Sequence, residues 1–396
     1  MNILSRSRLG YLIFLLSLVL ADVIGVNYIL KAFSQHTPFY QFVIVVSLLF
    51  LQIFFSPIQT GFSDFYCRKK TLVIALICSL ISIMLVYSFN RIASAPSYIP
   101  VLVVGIKGCL GNVIPLCWAT IADIQERKPR FSFGLATGGY AVGYLVLVAS
   151  NRFLSQEQIH FTIIFLFVLL TLICILFVED TRDKLHVKER KKDSFVFLFI
   201  SDNKLILEDL CVRYLRSILV SFLLWEISLY AILLFYIDFF TNQFSLLPVG
   251  MMIGYLSGIG LLKFCQGVSD LRMIRIGYYF SIISLLPIFI VFPFVKHIES
   301  YLLVVCYFFH SMGNAFLCPT LFTIISKTSP AHAWGRKYGL VESSDSVAFL
   351  VAFVMLLACQ AVGLGIGTIV SISFLSITLS LLPYREFCKV LPKNLH

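Results

Sequence analysis

The stretch QTGFSDFYCRKKTL, residues 59–72, places one aspartate and three consecutive basic residues between two almost wholly apolar segments. The rest of the chain is poor in charge: of its 396 residues, 59% are apolar and only 13% are charged, and the mean hydropathy is +0.93. A water-soluble domain of this length needs far more polar surface. The composition therefore indicates that a lipid bilayer surrounds most of the chain.

Apolar segments of about 20 residues, the length of one helical crossing of a bilayer, recur along the whole sequence. There are twelve of them, at 9–33, 41–60, 71–89, 98–120, 133–150, 160–178, 217–240, 244–264, 277–294, 301–326, 338–360 and 364–383. In lipid, runs of this length satisfy their backbone groups only as helices. The sequence predicts an all-α membrane protein with twelve transmembrane helices.

The net charge of +11 could indicate a nucleic-acid partner, but the basic residues gather in alternate loops. These loops contain Arg6 and Arg8; Arg68, Lys69 and Lys70; Arg127, Lys128 and Arg130; the stretch 182–216; Arg272 and Arg275; Lys327, Arg336 and Lys337; and Arg385, Lys389 and Lys393. Positive residues stay on the cytoplasmic side of a membrane. We therefore expect a lipid partner rather than nucleic acid, a place in the cell (inner) membrane, and two cytoplasmic termini.

Several other readings are excluded by the sequence. The first apolar segment is too long for a signal peptide and no small-residue cleavage site follows it, so we expect it to be retained. The eleven cysteines form no CxxC motif and no cluster with histidine, which favours neither disulfides nor a metal site. A Walker motif is absent, so we expect no ATP and no cofactor. A nucleophile, a base and an orienting residue with interpretable spacing are also absent, so we do not expect an enzyme.

The longest hydrophilic stretch, residues 179–193, divides the apolar segments six and six. It predicts an N-terminal six-helix bundle at 1–180, a central cytoplasmic loop at 181–216 and a C-terminal six-helix bundle at 217–396. The loop has two open interpretations: an amphipathic helix on the membrane surface, or a solvated linker.

The two predicted halves repeat each other. The opening motif, residues 61–64, returns as residues 267–270, an offset of 206, and Lys69 returns as Arg275. Residues 111–112 and 133–135 recur as 313–314 and 338–340. Motifs that recur in the same order at nearly constant offsets indicate a tandem duplication. The sequence therefore predicts two pseudo-symmetric bundles.

The loop between the second and third segments resembles the hallmark loop of the major facilitator superfamily. Asp64, Arg68 and Lys69 match that pattern, whereas Gly61 lies three rather than four residues before the aspartate. Phe65 and Cys67 replace an arginine and a glycine of the family pattern. The resemblance implies a monomeric transporter whose two bundles alternate access to a central site.

The resemblance also implies a cytoplasmic gate at this loop. A carboxylate there can accept hydrogen bonds from the free N–H groups of a helix N-terminus, and the start of the eleventh segment near Tyr338 is the expected partner of Asp64. The alternative is that the basic run only fixes orientation. The residues assigned to the gate are Gly61, Asp64, Arg68, Lys69, Gly267, Asp270, Arg275, Glu342 and Asp345. The last two either pair with Arg127 or Arg130, or are hydrated at the start of their helix.

Three ionisable residues lie near the middle of apolar segments: Asp22, Lys107 and Glu226. Each costs at least ~2.5 kcal/mol at the bilayer centre, so each requires a partner or a wet cavity. The resemblance assigns their segments to the central cavity, and a fourth-segment family pattern has arginine where this chain has Lys107. A lysine changes charge more readily than an arginine. Coupling or substrate contact is one interpretation, and a fixed ion pair of Asp22 with Lys107 is the other.

Weaker polar signals accompany these charges. The tenth segment carries a stripe with His310 and Asn314, whose counterpart in the fourth segment is Asn112. Other stripes contain Tyr140 and Tyr144 on the fifth segment, and Tyr230 with Glu226 on the seventh. Each of these side chains is a candidate for contact with substrate or proton, and the alternative for each is ordinary packing.

These observations predict a secondary active transporter of a small polar organic metabolite by proton symport, with Asp22 or Glu226 as the coupling carboxylate. A lysine among acidic and amide groups suits a substrate that carries a carboxylate. The alternatives are a proton-coupled exporter of drugs or siderophores, and a membrane nutrient sensor. The fifth segment has four glycines, as in exporters, but lacks their Gly-Pro pair because Tyr144 follows Gly143.

Overall fold

The computed structural model describes residues 8–32, 38–91, 99–124, 129–181, 204–236, 246–291, 300–363 and 366–390. Within these ranges the chain is helical and no strand occurs. The helices are α1 (Arg8–Ala32), α2 (Pro38–Phe65), α3 (Arg68–Arg91), α4 (Ile99–Leu110), α5 (Ile114–Ile124), α6 (Pro129–Phe153), α7 (Gln156–Phe177), α8 (Arg213–Tyr236), α9 (Leu246–Leu262), α10 (Asp270–Val291), α11 (Ser300–Thr328), α12 (Trp334–Ala361) and α13 (Ile366–Val390). The predicted all-α class is confirmed.

Ten spans in the described ranges are long and apolar enough to cross a membrane, and one of them is α4 and α5 taken together, Ile99–Ile124. Helices α6 and α9 occupy the two remaining predicted segments, and α9 contains a shorter apolar helix, Val249–Leu262. The chain is therefore a multi-pass membrane protein. The number of twelve crossings stays a prediction.

The chain forms two compact units. Unit 1 comprises Met1–Pro129, Val142–Glu208 and Ser326–Ser343; unit 2 comprises Arg130–Ala141, Asp209–Ile325 and Ser344–His396. The change from unit 1 to unit 2 at residues 208–209 falls within the predicted central loop, and the beginnings of α6 and α12 belong to the opposite unit. The predicted division into 1–180, 181–216 and 217–396 stays a prediction. Of the predicted central loop, residues 182–203 lie outside the described ranges, and 204–211 form a short helix.

Unit 1 has an apolar core and one broken span. Leu15, Leu18 and Val19 of α1 are buried in that core. Between α4 and α5, residues 111–113 leave the helical conformation. Pro115 contributes, because it has no N–H for the carbonyl of Gly111.

Unit 2 is built on close helix contacts and aromatic packing. A Cβ atom on Gly254 of α9 would lie 2.8 Å from the Phe308 carbonyl carbon of α11, so glycine permits this approach. Trp225 of α8 is fully buried. In unit 2 the span that corresponds to α4 and α5 is one continuous helix, α11.

Candidate functional site

Asp64, at the end of α2, caps the first turn of α12 inside unit 1. Its side chain is fully buried. Oδ1 accepts a hydrogen bond from the Gly335 amide at 2.9 Å, and Oδ2 accepts one from the Arg336 amide at 3.0 Å. The first N–H groups of a helix have no partner within the helix and carry the positive end of its dipole. The carboxylate therefore binds the beginning of the helix where the sequence placed its partner.

Arg68 joins Asp64 to a second carboxylate. Its Nη2 lies 2.9 Å from Asp64 Oδ1, and its Nη1 donates to Ser63 Oγ at 2.8 Å. The guanidinium also pairs with Asp123, which accepts a further hydrogen bond from Thr181 at 2.8 Å. We call Asp64, Arg68, Asp123 and the amides of Gly335 and Arg336 the Asp64 cluster. Sequence reasoning missed Asp123, although its position at the end of the fourth apolar segment was a usable signal.

Other predicted gate residues of unit 1 have different partners. Gly61 is buried within α2, one turn before Asp64. Lys69 is only partly buried and donates to the Ile175 carbonyl at 2.8 Å, so it does not join the Asp64 cluster. Glu342 is partly buried in α12. Its suggested partner Arg127 lies outside the described residues.

The repeated aspartate, Asp270, binds differently in unit 2. It forms an ion pair with Arg130, whose Nη2 donates to the Val268 carbonyl at 2.9 Å and whose Nη1 donates to the Cys265 carbonyl at 3.3 Å. Asp270 thus binds a guanidinium, whereas its counterpart Asp64 binds both main-chain amides and a guanidinium. Gly267 and Arg275 are exposed, and Arg275 interacts with Tyr384 rather than with Asp270.

The suggested pairing of Asp345 with Arg130 is replaced by other contacts. Arg130 pairs with Asp270, and Asp345 binds Tyr230. The reason is depth: Asp345 lies eleven residues after Trp334, the first residue of α12, which is about 16 Å along the helix. It is therefore a residue of the span and not of its end.

Asp22 and Lys107 form a buried ion pair in unit 1, with Nζ 2.5 Å from Asp22 Oδ1. The ammonium also donates to the Gly111 carbonyl at 2.6 Å and to Ser79 Oγ at 3.0 Å. An ammonium has three donors. All three are occupied by protein atoms, so the pair is neutral and the donors of Lys107 are saturated.

Glu226 and Asp345 form what we call the acid pair of unit 2. Tyr230 OH donates to both carboxylate oxygens of Asp345 at 3.0 Å, and Cys318 Sγ donates to Glu226 Oε1 at 3.3 Å. Asn314 is within hydrogen-bonding reach of Glu226. Glu226 is buried and Asp345 is partly buried. The two carboxyl groups are close enough for their charges to repel.

The acid pair has no counter-charge among the residues that the structure describes: no lysine, arginine or histidine there forms an ion pair with either carboxylate. Two carboxylates that share a poorly solvated site cannot both hold a full negative charge without compensation. The arrangement can therefore take up a proton on one of the two groups or accept a cation. Asp345, like Glu226, is an ionisable residue inside a predicted apolar segment, and this could have marked it as a candidate for the same site.

His310 lies apart from the hydrogen bonds of the acid pair. Its ring is fully buried and is stacked on Trp225 with the centroids 5.7 Å apart. Nε2 lies 3.3 Å from Ser228 Oγ, and Nδ1 has no hydrogen-bond partner within the described ranges. This environment resembles a packed core histidine more than a proton carrier exposed to water.

The remaining candidates are divided between the units. Tyr140 belongs to the α6 segment of unit 2, whereas Tyr144 belongs to unit 1, and both are partly buried. Asn112 is buried in unit 1 at the break between α4 and α5, where its Nδ2 donates to the Gly108 carbonyl at 3.2 Å. The stripe predicted for the fifth segment is therefore not one surface of one unit.

Three solved structures share this fold across almost the whole chain. They are the human organic anion transporter MFSD10 (TETRAN; 15% identity, 95% of this chain and 98% of that chain covered, TM-score 0.66), the E. coli fucose:proton symporter FucP (18%, 95% and 98%, 0.67) and the proton:xylose symporter XylE (11%, 98% and 97%, 0.72). At these identities the likeness shows the fold alone. No curated protein sequence matches the chain.

The family model described as Major Facilitator Superfamily matches residues 9–353, which is most of the sequence. It covers the hallmark loop, the Asp64 cluster up to α12, the ion pair of Asp22 with Lys107, and both members of the acid pair. The resemblance that the sequence analysis rested on is thereby confirmed. The chain belongs to the Major Facilitator Superfamily and is a membrane transporter rather than an enzyme.

Proposed function

We propose that this transporter moves a small polar organic metabolite by alternating access and takes it up together with protons. The observation that carries the proposal is the acid pair, Glu226 and Asp345. A buried charge without a partner costs several kcal/mol, so a change in its protonation alters the relative stability of the states that expose or enclose it. A site of this kind can couple a proton gradient to a conformational cycle.

The chemistry of the proposed step is a proton transfer without any covalent intermediate. From the proton-rich side the pair takes up one proton, which removes the repulsion between its carboxyl groups. Release on the other side restores the negative charge. Tyr230 donates to both oxygens of Asp345, so it holds this carboxyl group in place while the proton moves.

The substrate is proposed as polar, without a required negative charge. The preference for a carboxylate-bearing substrate depended on a free ammonium, and the donors of Lys107 are occupied by Asp22, Ser79 and Gly111. FucP is a fucose:proton symporter and XylE is a proton:xylose symporter. Sugars therefore join amino acids and organic acids among the compounds to be tested.

We further propose that the Asp64 cluster is the cytoplasmic gate. Its support is the double hydrogen bond from Asp64 to the first turn of α12. We infer the orientation from the basic loops and propose that both termini lie in the cytoplasm. We also propose that the protein is a monomer in the inner membrane.

The proposal is tested with purified protein in proteoliposomes under an imposed pH gradient, acidic outside. Mixtures of sugars, amino acids and organic acids are offered, and accumulated compounds are identified by mass spectrometry. We expect saturable uptake that requires the gradient. In Glu226→Gln we expect the gradient-driven, pH-dependent part of the uptake to be lost, while Glu157→Gln, a change of an exposed carboxylate, transports normally.

Three results would contradict the proposal. Gradient-independent uptake would refute proton coupling. Flux of drugs or siderophores in the opposite direction would indicate an exporter. No flux of any compound from protein that is folded and correctly inserted would indicate a sensor.

A further inference from the structure

The fourth span of unit 1 is interrupted at residues 111–113, between the end of α4 at Leu110 and the start of α5 at Ile114. Pro115 has no N–H, so the Gly111 carbonyl lacks its helical hydrogen bond. Helix α11 continues through Pro319 at the corresponding position, so the proline alone does not account for the interruption. Non-helical backbone at membrane depth is tolerated only where it is buried in protein or lines a water-filled cavity, and Asn112 and Val113 are buried. The position of these freed groups therefore depends on the side chains that bind them.

A glutamine of α2 bridges the interruption. Gln59 Nε2 donates to the Leu110 carbonyl at 2.5 Å, and Gln59 Oε1 accepts from the Asn112 amide at 3.2 Å. One side-chain amide thus binds the last carbonyl before the interruption and an amide within it. The Gln59 side-chain amide thus supplies both a donor and an acceptor, as a main-chain peptide group does.

The Gly111 carbonyl between these two contacts accepts from side chains of α3 and α4. Lys107 Nζ donates to it at 2.6 Å and Ser79 Oγ donates at 3.2 Å. Ser79 Oγ in turn accepts from Lys107 Nζ at 3.0 Å. The ammonium that binds the interruption is the one that pairs with Asp22, so the ion pair and the main-chain conformation belong to one hydrogen-bond network.

We propose that Gln59 and Ser79 are positioning residues of the transport cycle, which hold the interruption so that the Gly111 carbonyl fixes the Lys107 ammonium against Asp22. Loss of charge at Asp22 leaves the buried ammonium without its counter-ion. The ammonium then withdraws from Gly111, and the interruption loosens. This inference rests on the proposed function, because it makes the charge of Asp22 a support that residues 111–113 need during the transport cycle, while the acid pair takes up the proton.

Hydrogen–deuterium exchange of the purified full-length protein, without substrate, tests the link. Peptides covering residues 108–116 are compared in Gln59→Leu, Asp22→Asn and the double variant. Each single change removes hydrogen bonds of the network, so we expect exchange there to be roughly 5- to 30-fold faster. Because the two residues act through one network, the double variant exchanges no faster than the faster single variant. Unchanged exchange in Asp22→Asn, or effects that multiply, would overturn the proposal.

A second variant separates hydrogen bonding from size. In Gln59→Glu the protonated acid offers a donor to Leu110 and an acceptor to Asn112, whereas the ionised acid offers no donor. We expect protection of residues 108–116 at acidic pH and its loss at higher pH. Gln52→Glu, on the same helix and partly exposed, is the matched control and shows no such pH profile. A Gln59→Glu profile as flat as the control would contradict the positioning role.

A double variant without buried charge serves as the control for misfolding. If Asp22→Asn alone does not fold, Asp22→Asn with Lys107→Met buries no unpaired charge and still removes a donor to Gly111. Faster exchange at 108–116 in this variant supports the proposal, and wild-type protection refutes it. The exchange experiment uses no substrate, so its result does not depend on the uptake screen. If the screen finds no uptake but the exchange rates change as expected, the proposed function is wrong and the positioning role of Gln59 and Ser79 stands.

Discussion

Asp64→Asn is the change whose size follows most directly from the structure. The carboxylate accepts from two main-chain amides at 2.9 and 3.0 Å and pairs with Arg68 at 2.9 Å. An asparagine keeps one acceptor oxygen and turns an NH₂ group toward the other amide. One charge-assisted hydrogen bond is worth roughly 1.5–3 kcal/mol, and the favourable placement of an anion at a helix N-terminus adds roughly 0.3–1 kcal/mol. We expect the contact to weaken by about 2–4 kcal/mol, or roughly 30- to 900-fold in the population that releases α12.

Native-state trypsin cleavage measures this population. Arg336 and Lys337 are cleavage sites that are buried beside Asp64, so their cleavage rate tracks the released form when release and rebinding are fast. New ends at these residues are quantified by mass spectrometry, with cleavage at the exposed Lys389 as an internal reference. Glu157→Gln is the control variant. An unchanged cleavage rate after Arg336 and Lys337 in Asp64→Asn would refute the account of the Asp64 cluster.

Three further predictions follow from the geometry. Glu226→Gln removes a group of the acid pair, so we expect uptake that no longer varies with pH, measured in proteoliposomes; a normal pH profile would contradict coupling at this pair. Asp22→Asn leaves Lys107 buried without a partner and should cost about 3–5 kcal/mol of stability, which adding Lys107→Met recovers; thermal unfolding in detergent measures both, and equal stabilities would refute the argument. Gly254→Ala forces a methyl group against the backbone of Phe308, so we expect a loss of about 1–3 kcal/mol, and no loss would disprove the close approach of the two helices.

Much of the fold followed from the sequence because a bilayer imposes strict rules. A span must be long, apolar and helical, and every predicted segment contains helix in the described ranges. The assignment of individual helix ends to the two units could not be predicted from the sequence. Residues 130–141 and 326–343 belong to the opposite units, and this depends on tertiary contacts such as that of Asp64 with the Gly335 amide, which leave no pattern in hydropathy.

The site was partly predictable for a related reason. A charge in an apolar segment is expensive, so Asp22, Lys107 and Glu226 were visible, and the cost required partners for them. Which partner each one takes depends on helix rotation and depth. Asp345 was interpreted as a gate residue because it follows the start of its segment closely in sequence, whereas three helical turns carry it to Tyr230.

The two units hold their buried carboxylates in two different ways, and the proposed mechanism depends on this difference. In unit 1 the charge of Asp22 is matched by Lys107, whose donors are all satisfied. At the equivalent region of unit 2, Glu226 meets a second carboxyl group, Asp345. A neutral, saturated pair has little to gain from a ligand, whereas two uncompensated acids gain from any proton or cation that reaches them. We therefore infer that the pair of unit 1 gives structural support and that the pair of unit 2 takes part in ligand chemistry. For this reason Glu226, rather than its counterpart Asp22, is the carboxylate we expect to set the pH dependence of transport.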